Sequence, residues 1–306
     1  MSGKDVTEVV AAGPQAIAQA ARILESGGLV AVPTETVYGL AARADSPEAV
    51  ARIYAAKGRP SFNPLIVHVR DAAQAARYAK LSDQARALMA AHWPGPLTLV
   101  VPRRADAGLA DAVTAGLPTV ALRAPAHPVM RELLAAVDFA LAAPSANRSG
   151  FISPTTAQHV LASLDGRIAM VLDGGPCAAG VESTIVAVRA DGRIEQLRPG
   201  PIAIGAQSEA RGEIEAPGQL ASHYAPGKPV RLGALEAAAD EFLIGFGMVT
   251  GDVTLSASGD LAEAAARLYA CLHDAAKAAQ PRIAVAAVPE EGVGLAINDR
   301  LRRAAA

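Results

Sequence analysis

Short apolar runs rich in Val, Ile and Leu recur along the chain between Gly, Pro, Asn and Ser breakers, the pattern expected of strands. They occupy residues 29–32 (LVAV), 65–69 (LIVHV), 97–101 (LTLVV), 119–123 (TVALR), 139–142 (FALA), 168–172 (IAMVL), 183–188 (STIVAV) and 193–197 (RIEQL). Between them the period changes to that of amphipathic helices. Residues 14–26 place Ile17, Ala20, Ala21 and Leu24 on one face, and Gly27 and Gly28 close the helix. A second helix opens at the N-cap Ser46, with Pro47 and Glu48 suited to its first turn. It ends at Gly58 and turns Val50, Ile53 and Tyr54 toward the sheet.

Further helices are predicted at 71–79, at 82–92 behind Ser82, at 128–137, and at 155–164 behind Thr155 or Thr156. Trp93-Pro94-Gly95-Pro96 breaks the chain before the strand at 97, and residues 104–116 carry no clear period. The alternation predicts an α/β sheet domain over residues 1–206. Residues 207–229 are polar and Pro/Gly-rich, as in a linker. Residues 230–306 form a small Rossmann-like α/β domain, with strands at 230–232, 242–246 and 283–288 and helices at 234–241, 260–279 and 292–304. Gly245 and Gly247 do not complete a dinucleotide fingerprint.

Polar residues with chemical potential gather in two loops that leave apolar strands. Thr34, Glu35, Thr36, Lys57, Arg59, Asn63 and His68 lie within residues 28–69, and Pro144-Ser145-Ala146-Asn147-Arg148-Ser149-Gly150 follows the strand at 139–142. Each has a plain structural reading. Lysine suits the last turn of a helix, Pro, Ser, Asn and Gly make turns, and His68 inside LIVHV fits a satisfied core histidine. Arg123 fits a strand-end charge reaching water. Lys57 and Arg59, at a helix end, are not expected to be buried.

Composition narrows the chemistry. With 28 basic and 30 acidic side chains among 306 residues the formal charge is -2, so no global field draws the chain to nucleic acid or a membrane, and any anion site is local. Cys177 and Cys271 are too few and too far apart for a disulfide framework or zinc cage, fit a reducing cytoplasm, and read as buried apolar residues. No signal-peptide pattern and no bilayer-length apolar run stands in the sequence.

The ordered set PTETVYGL, KGRPSFNPLIVH, PSANRSG, ESTIV, RPG and HYAP, closing on GLAINDRLRRAA, resembles the YrdC-like L-threonylcarbamoyladenylate synthases in their long two-domain form, with a shortened C-terminal domain. The resemblance implies synthesis of threonylcarbamoyl-AMP from L-threonine, bicarbonate or CO2, and ATP, with Mg²⁺ and release of pyrophosphate. A tRNA threonylcarbamoyl transferase would take the product. The resemblance also implies that residues 1–206 are the catalytic domain, a twisted mixed sheet with flanking helices, and by it Lys57, Arg59 and Asn147 form the catalytic signature. Arg59, Asn63, Thr119, Ser145, Ser153, Arg198 and Tyr224 would contact ATP, and Thr36, His68, Arg123, the backbone at Ala143, and Ser183 would contact threonine. The metal ligands are not indicated. An arginine such as Arg123 suits a bidentate grip on a carboxylate. Tyr224, in the linker, is expected to pack at the mouth of the ATP site.

Two other readings compete. A YrdC-like RNA-binding module without synthase activity, or one adding weak RNA binding, is opposed by the acidic balance and by the lack of an aromatic, Lys/Arg-rich platform. A carbamoyl-transfer domain of the hydrogenase-maturation type would bring acylphosphatase and zinc-finger motifs, which this sequence lacks.

Overall fold

The computed structural model describes residues 6–205, 208–209, 214–220 and 222–306. In chain order the first unit comprises β1 (Glu8–Ala11), α1 (Pro14–Glu25), β2 (Val30–Val32), β3 (Gly39–Arg43), α2 (Pro47–Lys57), β4 (Ile66–His68), α3 (Ala72–Ala75), α4 (Asp83–His92), β5 (Leu97–Pro102) and α5 (Asp111–Thr114). It continues through β6 (Thr119–Arg123), α6 (Pro128–Ala136), β7 (Leu141–Ala142), α7 (Ala157–Leu164), β8 (Met170–Asp173), β9 (Thr184–Val188), β10 (Ile194–Arg198) and β11 (Ser208–Glu209). The second unit holds β12 (Val230–Ala234), β13 (Glu241–Gly245), β14 (Val253–Thr254), α8 (Leu261–Lys277), β15 (Arg282–Ala286) and α9 (Gly294–Ala304).

The first unit is built on one sheet of eleven strands in the order β1-β8-β2-β3-β7-β4-β6-β5-β9-β10-β11. Pairs such as β4/β6 and β5/β9 are parallel, whereas β2/β3, β4/β7 and β9/β10 are antiparallel, so the sheet is mixed as expected. Side chains alternate across it. Val67 of β4, with the flanking Leu65 and Val69, enters the main core beside Val120 and Leu122 of β6. Ile66 and Ala121 face the other side, among Val100, Ile185 and Leu197. His68 and Arg123 share that second face and pair in register.

α2 forms for the reasons read from its sequence. Ser46 Oγ accepts the Ala49 N–H at 3.2 Å, and Gly58 takes the left-handed C-cap with φ of 61°. The second unit is a four-stranded parallel sheet, β12-β15-β13-β14, with α8 as the crossover from β14 to β15. The units meet closely. A Cβ at Gly180 (φ +68°) would lie 2.3 Å from the Ala265 carbonyl oxygen of α8.

Several elements depart from expectation. The loop after β2 returns through β3, antiparallel to β2, before α2 begins. Its Gly-Leu-Ala-Ala-Arg sequence has weak strand propensity, and packing of Leu40 and Ala42 on one face and Ala41 on the other makes it a strand. β1 is stabilised by its parallel pairing with β8. α5 forms inside the periodless 104–116, and the helix expected over 71–79 is the four-residue α3.

The helix expected at 234–241 is absent. Eight residues are too few to sustain a helix alone, Ala234 ends β12, and Glu241 opens β13 instead. Its carboxylate accepts from Arg231 at 2.6 and 2.9 Å and from the Ala238 N–H at 2.8 Å, which fixes the intervening turn.

Candidate active site: a cation-lined cleft beneath the linker

Because strand residues alternate, placing Leu65, Val67 and Leu122 in the core turns His68 and Arg123 onto the opposite face, where they floor a cleft with Ile66. The cleft has an empty volume of ≈ 550 Å³, open solvent included. Thr34 and Thr36 form one wall; Ala143, Pro144 and Ser145, just past β7, form another. Arg59, Glu182, Ser183 and Arg198 close a third side, and Pro217, Gly218, His223 and Tyr224 of the linker lie over it. The site thus lies across a sheet face, rather than only at the carboxyl ends of strands.

The threonine loop is preorganised. Thr34 Oγ1 donates to the Val37 carbonyl at 2.6 Å and lies 2.9 Å from Thr36 Oγ1, which also accepts from Arg123 Nη1 at 2.9 Å. Arg123 Nη2 donates to Glu35 at 2.7 Å, and Glu35 also accepts the Ala126 N–H at 3.0 Å. Burial raises the Glu35 pKa, but Arg123 outweighs it and the net shift is downward. Both terminal nitrogens of Arg123 are therefore engaged, so the bidentate grip on a substrate carboxylate requires sharing with Glu35 and Thr36.

Lys57 and Arg59 are buried, which corrects the expectation drawn from their helix-end position. Lys57 Nζ donates to the carbonyls of Ser145 (2.6 Å) and Asn147 (2.5 Å) and thereby ties α2 to the PSAN loop. Burial, with the neighbouring Arg59, pulls the Lys57 pKa well below its usual value. Arg59 donates to the carbonyls of Asn63 (3.1 Å) and Pro64 (2.9 Å). Arg198 donates to Ser183 O and Oγ and to Pro217 O. Among the described residues, none of Lys57, Arg59 and Arg198 forms an ion pair with a carboxylate.

Of the residues singled out in the sequence, the cleft lining unites Thr36, His68, Arg123, Ala143 and Ser183 with Arg59, Ser145, Arg198 and Tyr224. Five others lie outside that lining. Lys57 and Asn147 brace the PSAN loop, with Asn147 Nδ2 donating to the carbonyls of Arg148 and Phe151, each at 2.8 Å. Asn63 sits behind Arg59, Thr119 opens β6 opposite Pro102, and Ser153 Oγ donates to Glu182 at 2.6 Å.

Polar atoms here lack protein partners. His68 Nδ1, His223 Nδ1, the Tyr224 hydroxyl and the Oδ1 atoms of Asn63 and Asn147 are buried without a hydrogen bond among the described residues. Buried polar atoms without a partner mark places where a water, an ion or a ligand binds; Gln74 Nε2, His127 Nδ1 and Arg300 Nη2 are further examples outside the cleft lining. Burial pushes the pKa of His68 and of His223 down to about 3, so both rings are neutral at pH 7. Tyr224 has φ of 63° and is 1% exposed, and a Cβ at Gly218 would approach its hydroxyl to 3.1 Å. Burial pushes the thiol pKa up to about 12 for Cys177 and about 11 for Cys271, so neither is poised as a nucleophile.

Sequence reading missed Glu182, Tyr269 and Arg300. Glu182 stands in the quoted ESTIV segment, but its partner Arg300 is 118 residues away, so no local signal joins them. The residues present do not form a Mg²⁺ cage. Among the described residues there is no cluster of three His, Cys, Asp or Glu, and Glu35 and Glu182 are engaged by Arg123 and Arg300.

The family described as telomere recombination (Sua5, YciO and YrdC) matches residues 22–200, and the one described as threonylcarbamoyl-AMP synthase, C-terminal domain, matches residues 191–306. The chain is 40% identical to a threonylcarbamoyl-AMP synthase of Bacillus subtilis, covering 98% of this chain and 96% of that protein. It is 36% identical to one of Pyrococcus abyssi, over 93% of this chain and 92% of the relative. A crystal structure of Pyrococcus abyssi Sua5 complexed with L-threonine superposes with a TM-score of 0.88 at 34% identity, covering 98% of this chain and 97% of that one.

Proposed function

The chain belongs to the threonylcarbamoyl-AMP synthase family, and from that premise we propose that it is a nucleotidyltransferase joining L-threonine, bicarbonate or CO2, and ATP into threonylcarbamoyl-AMP with release of pyrophosphate. One observation carries this reading: the buried guanidiniums of Arg59 and Arg198, both in the cleft lining, are met by backbone carbonyls and the Ser183 hydroxyl, not by carboxylates. Buried charge without a countercharge is costly unless a ligand supplies one. A triphosphate does.

The free amine of threonine adds to CO2, forming an N–C bond as one C=O π bond opens onto oxygen, and the amine proton passes to solvent water to leave a carbamate. A carbamate oxygen then attacks the α-phosphorus of ATP; the new P–O bond replaces the one to pyrophosphate. No enzyme nucleophile is needed, which suits a cleft whose neighbouring cysteine is protonated. Catalysis is positioning plus stabilisation of phosphoryl charge. Arg59 and Arg198 border the lining and face that charge, while Lys57 holds the PSAN loop against it. Thr36 and the neutral His68 would meet the threonine hydroxyl, and Arg123, with Glu35, the amino-acid end.

Mg²⁺ would arrive on the nucleotide's phosphates and offset their charge, since the described residues bring together no group of three His, Cys, Asp or Glu to hold it. The acyl phosphate product is easily hydrolysed, and the linker over the cleft would shield it until a tRNA threonylcarbamoyl transferase takes it. We place this chemistry in the cytoplasm, where ATP and a tRNA-modifying partner would meet it. No helix among the described residues is long and apolar enough to cross a membrane. The test is ATP-dependent pyrophosphate release with and without threonine and bicarbonate. Release that needs both is expected. Release indifferent to threonine, or strong RNA binding with no release, overturns the proposal.

A further inference from the structure

Glu182 stands where the cleft, the linker and the second unit meet. Its carboxylate accepts from Ser153 Oγ at 2.6 Å, from the Tyr269 hydroxyl at 2.8 and 3.0 Å, and from Arg300 Nε at 3.0 Å. The Glu182 side chain is 8% exposed and that of Arg300 is 0% exposed. Ser153 belongs to the first unit, whereas Tyr269 lies on α8 and Arg300 on α9 of the second. One carboxylate therefore joins both units, and neither can shift without leaving a buried charge partly unmatched.

The network extends to the cleft in two directions. Arg300 Nη1 donates to the Pro199 carbonyl at 2.7 Å, next to Arg198, and its guanidinium lies 5.7 Å from the centroid of the Tyr224 ring. Ser183, the residue after Glu182, accepts from Arg198 at its carbonyl (3.1 and 3.0 Å) and at its hydroxyl (3.0 Å), and that hydroxyl is 2.8 Å from Thr98 Oγ1. Glu182 thus fixes the peptide on which Arg198 rests.

We propose that Glu182 is a positioning residue for the nucleotide. Through the adjoining Ser183 it sets the place of Arg198, and through Arg300 and Tyr269 it makes that setting depend on the docked second unit and on Tyr224 being seated over the cleft. The inference rests on the reading above, in which Arg198 faces the phosphates of ATP. A carboxylate serving only to dock the two units would affect stability and leave ATP affinity alone.

The experiment is calorimetric titration of ATP into the full chain and into Glu182→Gln, Arg300→Met, the double variant and Tyr269→Phe, with melting temperatures and threonine KM measured alongside. Glu182→Gln and Arg300→Met should each weaken ATP binding about tenfold, with threonine KM changed less than about threefold. The double variant should be little worse than either single one, because the two residues act as a unit. Tyr269→Phe keeps the ion pair and the packing and should fold normally, yet weaken ATP roughly two- to tenfold. ATP affinity within twofold of wild type in Tyr269→Phe and in whichever other variants fold, even with lowered melting temperatures, overturns the proposal. A wild-type chain that binds ATP but shows no threonine-dependent pyrophosphate release refutes the synthase reading and leaves the Glu182 test intact; one that binds no ATP overturns both.

Discussion

On the large sheet, the face of β4 and β6 carries His68 and Arg123, which share a cleft with Arg59 and Arg198, and the buried polar atoms include several with no partner among the described residues. On the small sheet, the central strands β13 and β15 carry Ile244, Ile283 and Val285, and the buried carboxylate of Glu241 is paired with Arg231. Both are α/β sheets assembled from the same apolar residue types. The small sheet uses burial for cohesion, while the large one gives up cohesion to keep charges and hydrogen-bonding groups for something that is not protein. A ligand site is thus recognised less by the kind of sheet than by polar burial the protein leaves unmatched.

That contrast is most exposed to a change of substrate. Valine in place of threonine removes the hydroxyl that His68 and Thr36 would meet, and kcat/KM should fall by about 10⁴, whereas serine, lacking only a methyl, should lose about 10- to 200-fold. Equal use of valine and threonine in the pyrophosphate assay would mean that these buried groups are not a hydroxyl pocket. Next in size is Arg123→Met, which leaves Glu35 buried without its cation and frees Thr36. Threonine-dependent turnover should fall ~10²–10³, and wild-type turnover would make Arg123 a fold residue only.

pH tests the buried polar face of the large sheet. A buried histidine whose folded pKa is about 3, against 6.5 for the free group, leaves the unfolded chain binding more protons between those values. Stability should therefore fall as pH drops from 6.5 toward 3, by about 1.4 kcal/mol per pH unit for each such histidine. His68→Leu should flatten the urea-denaturation stability profile by about that slope; an unchanged profile would show that His68 protonates freely in the folded chain. The smallest effect belongs to the small sheet. Ile283→Val should cost about 0.5–1.5 kcal/mol in the same denaturation experiment. ATP and threonine KM should stay within twofold, and a larger shift in either would tie this core to the cleft.

Much of this could be read from the sequence because it is local. The caps Ser46 and Gly58, the alternation in LIVHV and TVALR, and the parallel second sheet follow from backbone preference and from side-chain period, which a dozen neighbouring residues are enough to express. The motif set likewise brought Thr36, His68, Arg123, Ser183 and Arg198 to attention before they met in space.

Burial and pairing between distant segments came only with the tertiary structure. The strand β3 exists because β2 and β7 flank it, Lys57 is buried because the PSAN loop closes on it, and residues 234–241 form no helix because Glu241 is claimed by Arg231. Glu182 and Arg300 meet across 118 residues. Propensity acts over a few residues and is worth tenths of a kcal/mol at each, whereas a buried charge with or without its partner is worth several, so wherever the two conflicted the long-range contact prevailed.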